Sequence, residues 1–265
     1  MTEIEYRSHP AISRSELWRM HESPQKFWHA KNSPVEPTPS LLFGQVFHKL
    51  VLEPETFAEE YAVAPECDRR TKAGKQEWQE FEEASVGRIV VPAGMYEQAE
   101  AMCKALMAEP FAVKLLNGQR EVEFFWADDM TGEECKCRAD VLNMNFSRPI
   151  VVDLKSTEDA SGDGFAKSAV TYGYDFQAAM YCDGVAKNIG QMPMFVFIAV
   201  EKKPPYAVNI FQADDLFMRR GKMLFREFLD TYHDCKVSGN WYGYMGKNNH
   251  VNTLSLPVWA ARDVE

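Results

Sequence analysis

No run of about 18 consecutive apolar residues occurs in the 265-residue sequence, so no membrane-spanning helix is expected. The opening MTEIEYRSHP is polar and lacks the apolar centre of a signal peptide, and a cytoplasmic protein is the expectation. Cysteine is scarce. Six in a chain of this length are too few for a disulfide scaffold, and Cys67, Cys103, Cys182 and Cys235 stand alone. Cys135 and Cys137, in ECKCRAD, would share one face of a strand, but no second Cys/His pair lies nearby to complete a zinc site. Strand packing is the favoured reading of that pair. Basic charge is also short, with 29 Lys and Arg against 39 Asp and Glu and a net charge of −10. That balance excludes broad, non-specific adhesion to polyphosphate. It leaves open an enzyme whose basic residues line one groove, so nucleic-acid binding has to be argued from a site.

The elements that are present alternate between helix and strand. ISRSELWRM opens with Ser13 and Glu16 at capping-box spacing, and SPQKFWHAK offers Ser23 as cap with Pro24 at the first helical position. NSPVEPTPS, residues 32–40, reads as an extended Pro-rich connector. LLFGQVFHKLVLEP reads as an apolar helix ending near Pro54. Two more helical patterns follow over about 71–86 and 95–109, split by RIVVP. REVEFFWA and ECKCRADVL, joined by a turn at Gly132, read as a hairpin, with PIVVDLKS as the next strand. One helical stretch over about 164–187, strands MFVFIAVE and YAVNIFQ, and a long helix over about 214–235 complete the pattern. The order predicts an α/β fold, a central mixed β-sheet flanked by helices, in one domain spanning 1–265 whose first 40 residues form a helical N-terminal arm and the connector.

PIVVDLKS carries the chemistry. Asp153 and Lys155, two residues apart on a strand, project to the same side. Asp140, thirteen positions upstream in CRADVL, is read near the end of its own strand and Asp153 at the end of the next, so a hairpin would bring both carboxylates to one sheet edge. Two such acids repel and need a cation: either Lys155, as in an ordinary strand-edge salt bridge, or a divalent metal. GQVFHKL places Gly44 and His48 one helical turn apart, with Gly44 read as permitting close backbone approach and His48 as a ligand or a satisfied core histidine. QAAMY places Gln177 and Tyr181 likewise, as two polar groups on one helix face.

In this order (G-x-x-x-H, a strand-borne Asp, D-x-K, Q-x-x-x-Y) the chain resembles the PD-(D/E)xK nuclease superfamily, in its RecB-like branch. LLFGQVFHKLVLEP, VVDLKST and YGYDFQAAMYCDG look most like the nuclease domain of RecE-type exonucleases (exonuclease VIII). The resemblance implies a PD-(D/E)xK restriction-endonuclease-like core. It implies a metal site of His48, Asp140, Asp153 and the Leu154 carbonyl, with Mg²⁺ as cofactor and Mn²⁺ as a substitute. It assigns Lys155 to the attacking water, with Gln177 and Tyr181 beside it holding Lys155 or the DNA backbone, and Glu123 in support. It further implies 5′→3′ degradation of linear double-stranded DNA to leave 3′ single-stranded tails for recombination by single-strand annealing. The partners it implies are an annealing protein of the RecT type and a homo-oligomeric ring, a tetramer in RecE-type relatives, with no membrane partner. Basic groups that could line such a channel are Arg69, Arg70 and Lys72; Lys202 and Lys203; and Arg219, Arg220 and Lys222. A nuclease of other polarity, an endonuclease or a non-catalytic DNA-binding module would carry much of the same pattern. The iron–sulfur cluster of some relatives is not expected: serine stands at the early ligand position, in Ser13-Arg14-Ser15 and Ser23-Pro24, and no cysteine follows Cys235.

Overall fold

The protein is described from a computed structural model that covers residues 3–33, 38–247, 251–257 and 260. The chain begins with α1 (Glu3–Ser8), β1 (Ile12–Ser13), α2 (Arg14–Leu17), a 3₁₀ turn (Trp18–His21) and α3 (Pro24–Lys31). The capping box forms as expected: the Ser13 side chain accepts from the Glu16 N–H, and Glu16 Oε2 accepts from the Ser13 N–H at 2.9 Å. Ser23 caps α3 and Pro24 opens it, where its missing N–H costs nothing. Residues 34–37 of the connector lie outside the described residues. Helix resumes at Pro39 with α4 (Pro39–Leu52), two positions earlier than the pattern indicates, because Thr38 caps it.

After a 3₁₀ turn (Pro54–Thr56) come α5 (Phe57–Glu60), β2 (Tyr61–Val63), α6 (Lys72–Ala84), β3 (Ile89–Val91), α7 (Ala93–Met107) and α8 (Pro110–Leu116). The second half comprises β4 (Gln119–Ala127), β5 (Glu134–Asn143), β6 (Ile150–Thr157), α9 (Gly162–Thr171), α10 (Tyr174–Ile189), β7 (Met194–Glu201), β8 (Val208–Gln212) and α11 (Asp215–Ser238). The helical stretch expected over 164–187 is two helices. Gly173 breaks it with φ +63°, and a Cβ there would collide with the Trp18 ring, so both the turn and the packing require glycine.

The main sheet runs β1-β5-β6-β7-β8, with β4 on the other side of β5. It is mixed: β6 and β7 are parallel, as are β1 and β5, and the remaining pairs are antiparallel. Two apolar clusters sandwich it. Along β7, Phe195, Phe197 and Ala199 join a cluster with α10 and α11, while Val196, Ile198 and Val200 join a second with α4 and α7. That alternation is the period of a strand buried on both faces. The N-terminal segment is helical but is no peripheral arm, because Ile12, Leu17, Met20 and Phe27 are part of the first cluster. Buried Lys136 fixes α1 by donating to the carbonyls of Tyr6 (2.6 Å) and His9 (2.8 Å) at its C-terminal end. No described helix is long and apolar enough to cross a membrane.

Candidate active site

The site lies where the sheet forks. β5 and β6 pair only over Val141↔Val152, Leu142↔Val151 and Asn143↔Ile150. One step further the same register sets Asp140 opposite Asp153, and there the ladder stops. The Leu154 N–H donates to Asp140 Oδ2 at 2.7 Å instead of to a β5 carbonyl. Further along, β1 takes the vacated edge of β5 through Ile12↔Cys135 and Ser13↔Lys136. Both acids are therefore interior to their strands, which corrects the sequence expectation of strand ends. The fork supplies the opening that a strand end was expected to supply.

A crease coincides with the fork. Cys135, Cys137 and Ala139 of β5 point into the α10–α11 cluster, so strict alternation would send Val141 there too. Val141 instead joins the α4–α7 cluster and Leu142 the other. On β4 the residue in register with Asp140 is Glu121, between Arg120↔Val141 and Val122↔Ala139, and its φ is +50°. A non-glycine residue in the left-handed region costs of order 1 kcal/mol and persists only where its surroundings hold it. The phase slip turns Glu121 and Asp140 together toward α4, which brings His48. Donor atoms of His48, Glu121 and Asp140 lie within 4.8 Å of one another, with His48 Nδ1 3.5 Å from Asp140 Oδ2. Glu121 is also paired with Arg138 at 2.7 Å. Glu121 is the residue that sequence reasoning missed. Glu123, the acid of this strand that the sequence offers in a supporting role only, sits two residues on, in register with Arg138.

Asp153 is almost fully buried beside this cluster. Lys155 Nζ reaches its Oδ2 at 2.6 Å, so the shared projection read from D-x-K is realised. Gln177 Nε2 donates to Asp153 Oδ1, which departs from the expectation that Gln177 holds Lys155 or DNA. Burial pushes the Asp153 carboxyl above the ordinary carboxylate range. The Lys155 ammonium pulls it back and the Asp140 charge pushes it further up. Lys155 also sits over the ring of Tyr174, 4.8 Å from its centroid. Tyr181 packs on Phe195, and burial raises its phenol well above the usual value. Gly44 differs from its reading: a Cβ there would meet nothing within 4 Å, so the face it shares with His48 borders open space rather than a packed backbone.

The basic groups named from sequence are largely compensated. Arg70 pairs with Asp68 at 3.0 Å, Arg69 stacks on Trp78, and Lys72 begins α6, which also carries Glu77, Glu80, Glu82 and Glu83. Lys202 and Lys203 both reach Glu158, at 3.2 and 3.9 Å. Arg220 is paired with buried Asp175, Arg219 bonds the Asp215 carbonyl, and Lys222 is exposed. Cys135 and Cys137 are packed in the core, and burial pushes the Cys135 thiol up to about 12.

A forked mixed sheet presenting acids from three adjacent strands, with D-x-K on one of them, is the framework of the PD-(D/E)xK nuclease superfamily. The chain belongs to the family described as PDDEXK-like domain of unknown function (DUF3799), whose profile matches residues 13–253. Among solved structures, a presumed exonuclease from Eubacterium rectale superposes with TM-score 0.66 over 98% of this chain and 97% of its own, at 15% identity. That likeness is one of fold. The structure of SSO0001 aligns over 71% of this chain and 85% of its own, at 15% identity and a TM-score of only 0.33. No curated protein matches the chain.

Proposed function

We propose that the protein is a Mg²⁺-dependent nuclease, with Mn²⁺ as a substitute, that acts as an exonuclease on linear duplex DNA. The observation that carries this reading is the convergence of His48, Glu121 and Asp140 beside the Asp153–Lys155 pair. The donor set is mostly hard carboxylate oxygen with one imidazole, which suits a small divalent cation. Asp153, which lies outside that group of three and is held by Gln177 and Lys155, and the Leu154 carbonyl would add oxygens from the other side of the fork; the carbonyl leaves the strand on the same edge as the N–H that Asp140 accepts. A cation held there would neutralise charge developing on the scissile phosphate. Lys155 orients the attacking water by donating to it and stabilises the negative charge that develops as the water loses its proton, its ammonium confined between the Asp153 carboxylate and the Tyr174 ring. Gln177 holds the Asp153 carboxylate in place by donating to its Oδ1, as Lys155 does at Oδ2.

The finer reading is an exonuclease of the RecE type, working 5′→3′ and leaving 3′ single-stranded tails for an annealing protein of the RecT type. In it a homo-oligomeric ring, a tetramer, encloses the duplex. Its support is the order and local likeness of the sequence motifs. Incubation with Mg²⁺ and end-labelled linear duplex tests it, beside closed circular DNA and the Asp153→Ala and Lys155→Ala proteins. Label loss from 5′ ends, intact circles and at least about 10³-fold slower digestion by both variants are expected. Undiminished cutting by Asp153→Ala removes the site assignment, cut circles make the enzyme an endonuclease, and 3′ label loss reverses its polarity.

A further inference from the structure

The cation of the site most in need of a partner is Arg14, which follows β1 at the fork. Its Nη2 donates to the carbonyls of Tyr172 and Gly173, the latter at 2.9 Å, at the left-handed joint between α9 and α10. Its Nε is buried and has no acceptor. Its guanidinium carbon lies 5.6 Å from the centroid of the Trp18 ring. Asp153 and Asp175 act on it only through space, since Asp175 is paired with Arg220 and Asp153 with Lys155. Burial consequently disfavours its charge, with Tyr181 and Asp153 offsetting part of that cost. A guanidinium that is largely desolvated, held rigidly by two carbonyls and given no carboxylate of its own is built to receive an anion from outside.

We infer that Arg14 binds a phosphate oxygen of the DNA strand that enters the site, next to the phosphate that is cut. The inference rests on the nuclease reading above and adds a residue that the motif pattern does not include. Capping of the α9 end, where a cation also suits the helix dipole, accounts for the two carbonyl bonds of Nη2, but it leaves the buried Nε without an acceptor and the guanidinium without a carboxylate. The phosphate could be a 5′-terminal one or an internal one; the chemistry recognised is the same.

Arg14→Gln separates the two roles, since it retains an amide donor and removes the charge. Duplex affinity is measured by fluorescence anisotropy without divalent ions, across a salt series, beside thermal unfolding. For a folded Arg14→Gln protein the expected result is about tenfold weaker binding and a log–log salt slope shallower by about 0.9, the signature of one lost phosphate contact. Equal losses on 5′-phosphoryl and 5′-hydroxyl ends identify an internal phosphate, and a loss confined to the 5′-phosphoryl end a terminal one; both support the inference. Wild-type affinity and slope in a folded Arg14→Gln protein would overturn it. If Arg14→Gln does not fold, Arg14→Lys decides: it is expected to bind about tenfold more weakly with the slope kept, and unchanged affinity would overturn the inference. Failure of the nuclease reading looks different, because the wild-type protein would then leave duplex undigested with Mg²⁺ whether or not it bound it.

Discussion

At the scale of single residues, function turns on which carboxylates face one another. Asp153 with Lys155, His48 with Gly44, and Gln177 with Tyr181 could be paired from sequence because each pair has a short spacing that fixes side-chain direction within one strand or one helical turn, whereas Asp140 had only its strand to mark it. Glu121 was not legible, since plain alternation along β4 cannot anticipate a residue at φ +50°, and it is that turn of the backbone that brings Glu121 to Asp140. Arg14 and Tyr174 escaped notice for another reason: nothing local in the sequence says that β1 and the start of α10 end at the fork. Glu121→Gln removes one charged donor and leaves the size unchanged. Mn²⁺ affinity measured by calorimetry is expected to fall at least about tenfold, with the unfolding temperature preserved. Gly44→Ala adds a methyl group that would meet no atom within 4 Å beyond its own stretch of helix. It is expected to stabilise α4 by about 0.5–1 kcal/mol in thermal unfolding, yet to slow digestion if DNA runs along the His48 face.

At the scale of elements, the parts read most securely were those whose boundaries are set locally. The caps of α2, α3 and α6 and the hairpin turn at Gly132, where φ is +70°, fall where serine, threonine, proline and glycine put them. Errors gathered where tertiary packing decides: the break at Gly173 under Trp18, and the positions of Asp140 and Asp153 inside rather than at the ends of their strands. The β4–β5 turn also anchors the last helix. Asp128 binds Arg226 of α11 at 2.8 and 3.0 Å and accepts from the Thr131 N–H and hydroxyl, each at 2.8 Å. Burial alone would raise the Asp128 carboxyl, but these bonds hold it at about 2, against 3.8 ordinarily. A depressed folded value contributes stability above about pH 3.8 that is lost as pH falls toward 2, here about 2 kcal/mol. Unfolding temperatures of the wild-type and Asp128→Asn proteins are therefore expected to differ at pH 6 and to converge near pH 2, and a gap independent of pH would contradict this anchoring.

At the scale of the molecule, the α/β plan and the mixed sheet were legible from the order of apolar patterns, because a sheet buried on both faces writes two-sided runs such as MFVFIAVE. The weaving of residues 12–27 into the core was not, since a two-residue strand such as β1 leaves no periodicity to read. A chain with net charge −10 would have to concentrate positive charge to act on a polyanion, and among the described residues Arg14 lies at the fork without a carboxylate partner, whereas Arg70, Lys202 and Lys203 on the surface are paired. All of this depends on one centre. Crystals soaked in Mn²⁺ and measured at the manganese absorption edge test it most directly. The account predicts an anomalous peak contacted by His48, Glu121 and Asp140 at about 2.2 Å, on the Asp153 side of the fork. Bare density there, or a peak confined to other acids such as Asp128 and Glu133, would contradict it.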